Sequence, residues 1–191
     1  MQMIKRKLLI LFLFCVMFAT VWAADTGDTI CTTGASSVWA NPTNITANNN
    51  TYSTNANADE ALLIGSVYGF TIPGDATIDS ITMTIESRHS GGGPAGEGQG
   101  YYGPSKNGTS FAGDSALYQG VNNSNVTHVD DGGLGNLWGT TWTVTEANAI
   151  QTLVHKNGTG TRTHQIDYHQ IKISYTEAGG GGVGQVIMIN G

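Results

Sequence analysis

The 191-residue chain is poor in charge, rich in glycine and acidic, and each property excludes a class of protein. Charged residues make up 12% of the sequence, about half the usual ~25%. The 27 glycines are about double the usual ~7% share, and Gly, Thr, Asn and Ser are weak helix formers. With a net charge of −6 there is no basic patch to neutralise phosphates, which argues against nucleic-acid binding.

The first 23 residues have the layout of a secretory signal. A basic segment at 5–7 precedes an apolar run at 8–18, and Val21 and Ala23 supply the small residues of a cleavage site. The apolar run is shorter than the ~20 residues of a membrane-spanning helix. We therefore predict a signal peptide over 1–23, whose removal leaves 168 residues with a net charge of −9 and no membrane partner.

The remaining sequence divides into three parts. We predict a flexible N-terminus over 24–35, one β-sandwich domain over 36–177, and a glycine-rich linker with a short apolar tail over 178–191. Cys31 is the only cysteine after the predicted signal, so no intrachain disulfide is possible. Its thiol is either buried or paired with another chain, and we favour burial.

Period-2 alternation is the main structural signal inside the domain. Apolar residues alternate with polar ones at 81–86 and again at 165–176, which predicts two half-buried strands. The segment 90–105 is dominated by glycine and is predicted to be a long loop, and 145–149 is predicted to be one helical turn capped by Thr145. Seven or eight short strands with polar loops predict an all-β, antiparallel sandwich, either jelly-roll-like or Ig-like.

Four segments in chain order carry a resemblance. They are Trp-Ala-Asn-Pro at 39–42, Tyr-Gly-Phe-Thr-Ile-Pro-Gly-Asp-Ala-Thr-Ile-Asp-Ser-Ile at 68–81, Leu-Trp-Gly-Thr-Thr-Trp-Thr at 137–143, and Ile-Asp-Tyr followed by Ile-Lys-Ile-Ser-Tyr-Thr between 166 and 176. Together they resemble β-sandwich modules of tailed-phage virion proteins and of related bacterial and viral surface proteins. The resemblance implies a structural or attachment role with no catalytic residues. Phage virion proteins normally lack a secretory signal, so the chain is either an exported bacterial relative or its apolar N-terminus serves another purpose.

Motifs for chemistry are scarce. The sequence contains no Gly-x-Ser-x-Gly, His-x-x-x-His or Cys-x-x-Cys pattern, so we expect neither catalytic residues nor a cofactor. Asp130 and Asp131 offer oxygen ligands for calcium, although turn chemistry explains an Asp-Gly pair equally well. On an unbroken strand Asp167 and His169 share a face, and we expect them to form a buried structural pair.

Aromatic residues give the best candidates for binding and for the core. Tyr101 and Tyr102 lie in the glycine-rich segment, and exposed rings of this kind stack on sugars. We assign structural roles to a second set, which we expect to hold the fold together: Trp39, Trp138, Trp142, Asp167 and Tyr168.

The leading hypothesis is a non-catalytic structural or attachment module of a phage-type virion or cell surface, with other virion or surface subunits as partners. The alternative is a secreted module that binds carbohydrate in adhesion, with host glycans as partners. A polysaccharide-active enzyme ranks third. The expected location is extracellular or cell-surface if the signal is used, and the virion if a phage encodes the chain.

Overall fold

A computed structural model describes residues 22–56, 61–91, 98–130, 137–157 and 162–178. Predictions for most of the signal, for Asp131 and for the apolar tail lie outside the described residues.

Eleven strands are described, and they form two antiparallel sheets. Sheet A contains β1 (Trp22–Asp25), β2 (Thr29–Ile30), β4 (Ser53–Asn55), β6 (Thr77–Ser90), β9 (Val126–Asp130) and β11 (Thr163–Glu177). Sheet B contains β3 (Thr33–Ala35), β5 (Leu62–Ser66), β7 (Gln99–Ser105), β8 (Ala116–Gln119) and β10 (Gln151–Lys156). A 3-10 helix, Pro42–Ile45, and a short α-helix, α1 (Val144–Asn148), complete the described elements.

The strand order is that of a jelly roll. Sheet A runs β1-β11-β6-β9 and sheet B runs β5-β10-β7-β8, with β3 added beside β5. Counted along the chain, the eight principal strands lie 1-8-3-6 and 2-7-4-5, which is the arrangement of two Greek keys folded face to face. The prediction of an all-β antiparallel sandwich is confirmed, and this order selects the jelly roll from the two sandwich types.

The core lies between the sheets and follows the predicted alternation. In β6, Ile81, Met83 and Ile85 are fully buried, whereas the threonines between them are half-buried on the outer face. Ile171 and Ile173 of β11 are buried in the same way and lie opposite β6 in register. Burying these side chains removes apolar surface from water, which stabilises a domain that has no disulfide.

Two segments differ from the sequence predictions. The segment 24–35, expected to be a flexible terminus, contributes β2, β3 and part of β1, and β1 and β2 pair with β11 while β3 pairs with β5. The end of the predicted loop 90–105 is instead β7, which pairs with β10 on one side and β8 on the other. Glycine is required there because a Cβ at Gly100 would lie 2.4 Å from the Tyr118 ring.

The N-cap of helix α1 lies two residues before the predicted cap, Thr145. Thr143 is the N-cap, and its hydroxyl accepts a hydrogen bond from the backbone N–H of Glu146. The Glu146 carboxylate in turn accepts from the Thr143 N–H at 2.8 Å, which completes a capping box. No helix within the described residues is long and apolar enough to span a membrane.

Candidate functional site

The two tyrosines predicted to bind sugar lie on opposite faces of β7. Tyr101 is 36% exposed on the outer face of sheet B, whereas Tyr102 is 2% exposed in the core. The Tyr102 ring packs edge-on against Trp138, with centroids 6.2 Å apart. The expectation that both rings reach solvent is therefore wrong for Tyr102, because successive residues of a strand point to opposite faces.

Tyr101 belongs to a row of side chains that crosses sheet B. It is in register with His155 of β10 and Leu117 of β8, and His155 is in register with Leu62 of β5. Leu117 is 53% exposed. The rings of Tyr101 and His155 are nearly parallel, with centroids 6.5 Å apart and an interplanar angle of 21°. We call Leu62, His155, Tyr101 and Leu117 the sheet B row.

A loop covers part of the outer face next to the sheet B row. One register step away, Gly103 lies opposite Leu153, and the ring of Phe111 reaches to within 3.1 Å of where a Gly103 Cβ would be. Leu153 is fully buried although its place in β10 is on the outer side. The loop that carries Phe111 therefore covers one half of the outer face and leaves the row accessible.

Three of the tryptophans lie in the core. Trp39, Trp138 and Trp142 are 3%, 2% and 7% exposed. The indole N–H of Trp138 donates to the Ile81 carbonyl at 2.8 Å, and that of Trp142 donates to the Leu137 carbonyl at 3.1 Å. Each buried ring thus satisfies its polar atom while it fills the space between the sheets.

The calcium candidates Asp130 and Asp131 do not form a metal site within the described residues. Asp130 ends β9 and is half-buried, while Asp131 lies outside the described residues. The nearby Asn125 side chain donates to Glu86 at 2.7 Å and accepts from Tyr52 at 2.8 Å. Across the described ranges, no three His, Cys, Asp or Glu side chains lie together as metal ligands.

Asp167 and His169 do not form the predicted pair. A bulge in β11 separates them, because Ile166 is in register with Ser87 whereas His169 is in register with Ile85. The bulge inserts one residue and breaks the alternation on which the prediction depends. Asp167 accepts hydrogen bonds from the backbone N–H groups of Asn49 and Asn50, at 3.2 and 3.0 Å.

Asp167 also contacts a second carboxyl group. Burial raises the pKa of Glu86, and the charge of Asp167 and a hydrogen bond to it raise it further. Tyr168, at the bulge, is 6% exposed, and burial together with the Glu86 charge raises the pKa of its phenol. The Asp167 side chain and the backbone of Tyr168, which pairs with Thr46, attach the 46–50 loop to sheet A, and this is a structural role for both residues.

His169 belongs to a buried polar network that the sequence did not indicate. Its Nδ1 lies 2.9 Å from the Thr152 hydroxyl, which is 2.6 Å from the Tyr68 hydroxyl. Tyr68 in turn hydrogen-bonds the Cys31 thiol, which is 1% exposed. Burial lowers the pKa of His169 to about 3 and raises that of Cys31 to about 11, so both groups are neutral near pH 7.

A cleft of about 180 Å³ lies beside this network, at one end of the sandwich. One wall is the connection from β5 to β6, and the other is formed by the β1–β2 turn and the end of β11. In the sequence, this region is singled out only as part of the 68–81 segment that carries the resemblance. The lining residues are Thr26, Thr29, Tyr68, Gly69, Phe70, Thr71, Ile72 and Tyr175.

Compared with known proteins, the chain matches no protein-family model and no curated sequence.

Proposed function

We propose that the chain is a non-catalytic structural or attachment module displayed on a phage-type virion or a cell surface. The observation that carries this proposal is the sheet B row, in which Tyr101 and Leu117 are exposed side by side on neighbouring strands. Aromatic and apolar side chains grouped on a surface are typical of contact sites between proteins. The partner is another virion or surface subunit.

The partners of the polar side chains support a non-catalytic role. His169 and Asp167 are fully buried, and their hydrogen-bond partners belong to the protein itself. A neutral imidazole with a pKa of about 3 is a poor general base near pH 7. These residues hold strands and loops together.

A pair of matched variants tests the attachment surface. We expect Leu117→Glu to abolish co-sedimentation of the chain with particles or cell envelopes, because a carboxylate cannot be buried unpaired in an apolar contact. Val129→Glu is the control, since Val129 is 57% exposed on β9 of sheet A, compared with 53% for Leu117. Equal sedimentation of the two variants, with equal thermal stability, would remove the sheet B row from the proposal.

A secreted carbohydrate-binding module is the second candidate. The exposed ring of Tyr101, held nearly parallel to His155, is a possible stacking platform for a sugar. Tyr101→Ala tests it on a glycan array, with Leu117→Ser as the control, because stacking requires the ring whereas protein attachment requires both side chains. Glycan binding by the Tyr101→Ala chain at the wild-type level would exclude this candidate.

A further inference from the structure

The cleft at the end of the sandwich is bounded by a backbone turn in a strained conformation. Val67 has a φ of 58°, in the left-handed region that β-branched residues rarely occupy, and Gly69 follows at 73°. The Val67 carbonyl accepts two hydrogen bonds from Thr32, from its N–H at 3.2 Å and from its hydroxyl at 2.8 Å. Strain of this kind persists where surrounding contacts fix it, and it is concentrated at binding sites.

The wall between Val67 and Ile72 is fixed at three points. Thr32 holds the start, and the Tyr68 hydroxyl is bonded to Thr152 in the interior. At the far end the Asn148 side chain accepts from the Ile72 N–H at 2.8 Å and donates to its carbonyl at 3.2 Å. A wall held in this way is preorganised, so a ligand does not have to order it on binding.

The size of the cleft limits what it can hold. A cavity of ~150 Å³ in another protein accommodates benzene, so a cleft of about 180 Å³ has room for one six-membered ring. Because the cleft is open to solvent, a larger molecule can extend outward from that ring.

The lining chemistry indicates a neutral, hydroxylated ligand. The lining includes three aromatic residues, of which Tyr175 is the most accessible. In the part of the chain that the structure describes, the hydroxyls of Thr29, Thr71 and Tyr175 have no hydrogen-bond partner. No charged side chain is among the lining residues, and Asp25 and Asp28 flank the β1–β2 turn, which disfavours anions.

We propose that this cleft binds one neutral pyranose ring of a glycan, with hydrogen bonds from Thr29, Thr71 and Tyr175. Hydroxyl groups donate and accept, which matches the alternating donors and acceptors of a sugar ring. The inference goes beyond the proposed function and does not depend on the sheet B row, since the residues of the cleft and of the row are different.

Titration of the full chain followed by amide NMR tests the proposal. The probes are the methyl glycosides of glucose, galactose and mannose, with glucuronate as the anionic comparison. We expect saturable shifts at Gly69 and Thr71 with at least one neutral glycoside, and weaker binding of glucuronate. No shift with any glycoside, or binding of glucuronate as tight as that of glucose, would overturn the proposal.

Isosteric variants separate the cleft from other surfaces. Thr71→Val combined with Tyr175→Phe removes two hydroxyls and keeps the shape, so we expect about tenfold weaker binding. Thr109→Val, at another exposed threonine, is the control that keeps wild-type affinity, and Tyr101→Ala tests whether the sheet B row holds the sugar instead. Undiminished binding by the double variant, or binding lost only with Tyr101→Ala, would overturn the assignment to this cleft.

Discussion

Gly65 lies where three polar side chains of the buried network converge. A Cβ at this position would lie 2.6 Å from the Thr152 hydroxyl, 2.9 Å from His169 Nδ1 and 3.1 Å from the Cys31 thiol. Atoms do not pack this closely without displacing a neighbour, and the neighbours here are fully buried. Glycine is therefore required at position 65 because no room is left for a Cβ, and not because of its backbone conformation.

Gly65→Ala tests the importance of the buried network. We expect a loss of about 2 to 3 kcal/mol in the free energy of unfolding, because the added methyl overpacks the interior and separates hydrogen-bonded partners. Urea unfolding measures the change. Gly74→Ala is the control, since a Cβ there meets no atom within 4 Å. Equal losses in the two variants would show that disturbing the polar network adds nothing to the loss in the free energy of unfolding.

Alternation of apolar and polar residues predicts the elements whose two faces differ in environment. The strand at 81–86 could be read from sequence because Ile81, Met83 and Ile85 face the core and the intervening residues face outward. The strand β7 could not, because its glycines are imposed by Tyr118 and by neighbouring backbone, which are contacts between distant parts of the chain. From its glycine-rich composition alone, such a segment is predicted to be a loop.

The candidate sites also depend on contacts between distant parts of the chain, which a local sequence pattern does not reveal. Tyr101 was predictable as a surface aromatic, but the sheet B row depends on how β5, β10, β7 and β8 are paired, and no local pattern specifies that register. The bulge after Ile166 has a similar cause, since one inserted residue leaves no signal in the sequence. The cleft depends on a turn whose strain at Val67 contradicts residue preference.

The capping box of α1 is an element whose contribution can be measured alone. Thr143→Ala removes the hydroxyl that accepts from Glu146 N–H, and we expect a loss of about 1 kcal/mol in the free energy of unfolding. Thr141→Ala, two residues earlier and exposed, is the control. Chemical denaturation compares the two, and a loss below a few tenths of a kcal/mol for Thr143→Ala would mean that the cap is not needed for α1.

At the scale of the whole molecule, the first strand and the predicted signal overlap. The strand β1 begins at Trp22, and its first two residues pair with Glu177 and Thr176. Cleavage after Ala23 would leave Ala24 and Asp25, which pair with Tyr175 and Ser174. The longer pairing of β11 with β6, over twelve register positions, does not involve this segment.

The two sheets differ in what they present to the surroundings. On sheet A the 46–50 loop is attached through Asp167, and on sheet B the side chains of Tyr101 and Leu117 are exposed to solvent. The acidic net charge of the chain keeps free copies soluble.

Side-chain footprinting by hydroxyl radicals tests the central claim most directly. Among the described residues, five exposed large apolar side chains serve as reporters: Tyr101 and Leu117 in the sheet B row, and Val67, Val121 and Val129 elsewhere. Mass spectrometry of the chain, free and attached to its particle or envelope, measures oxidation at each. We predict that attachment protects Tyr101 and Leu117 and leaves Val67 and Val129 unchanged. Protection of Val67 or Val129 with Tyr101 and Leu117 still oxidised would contradict the assignment.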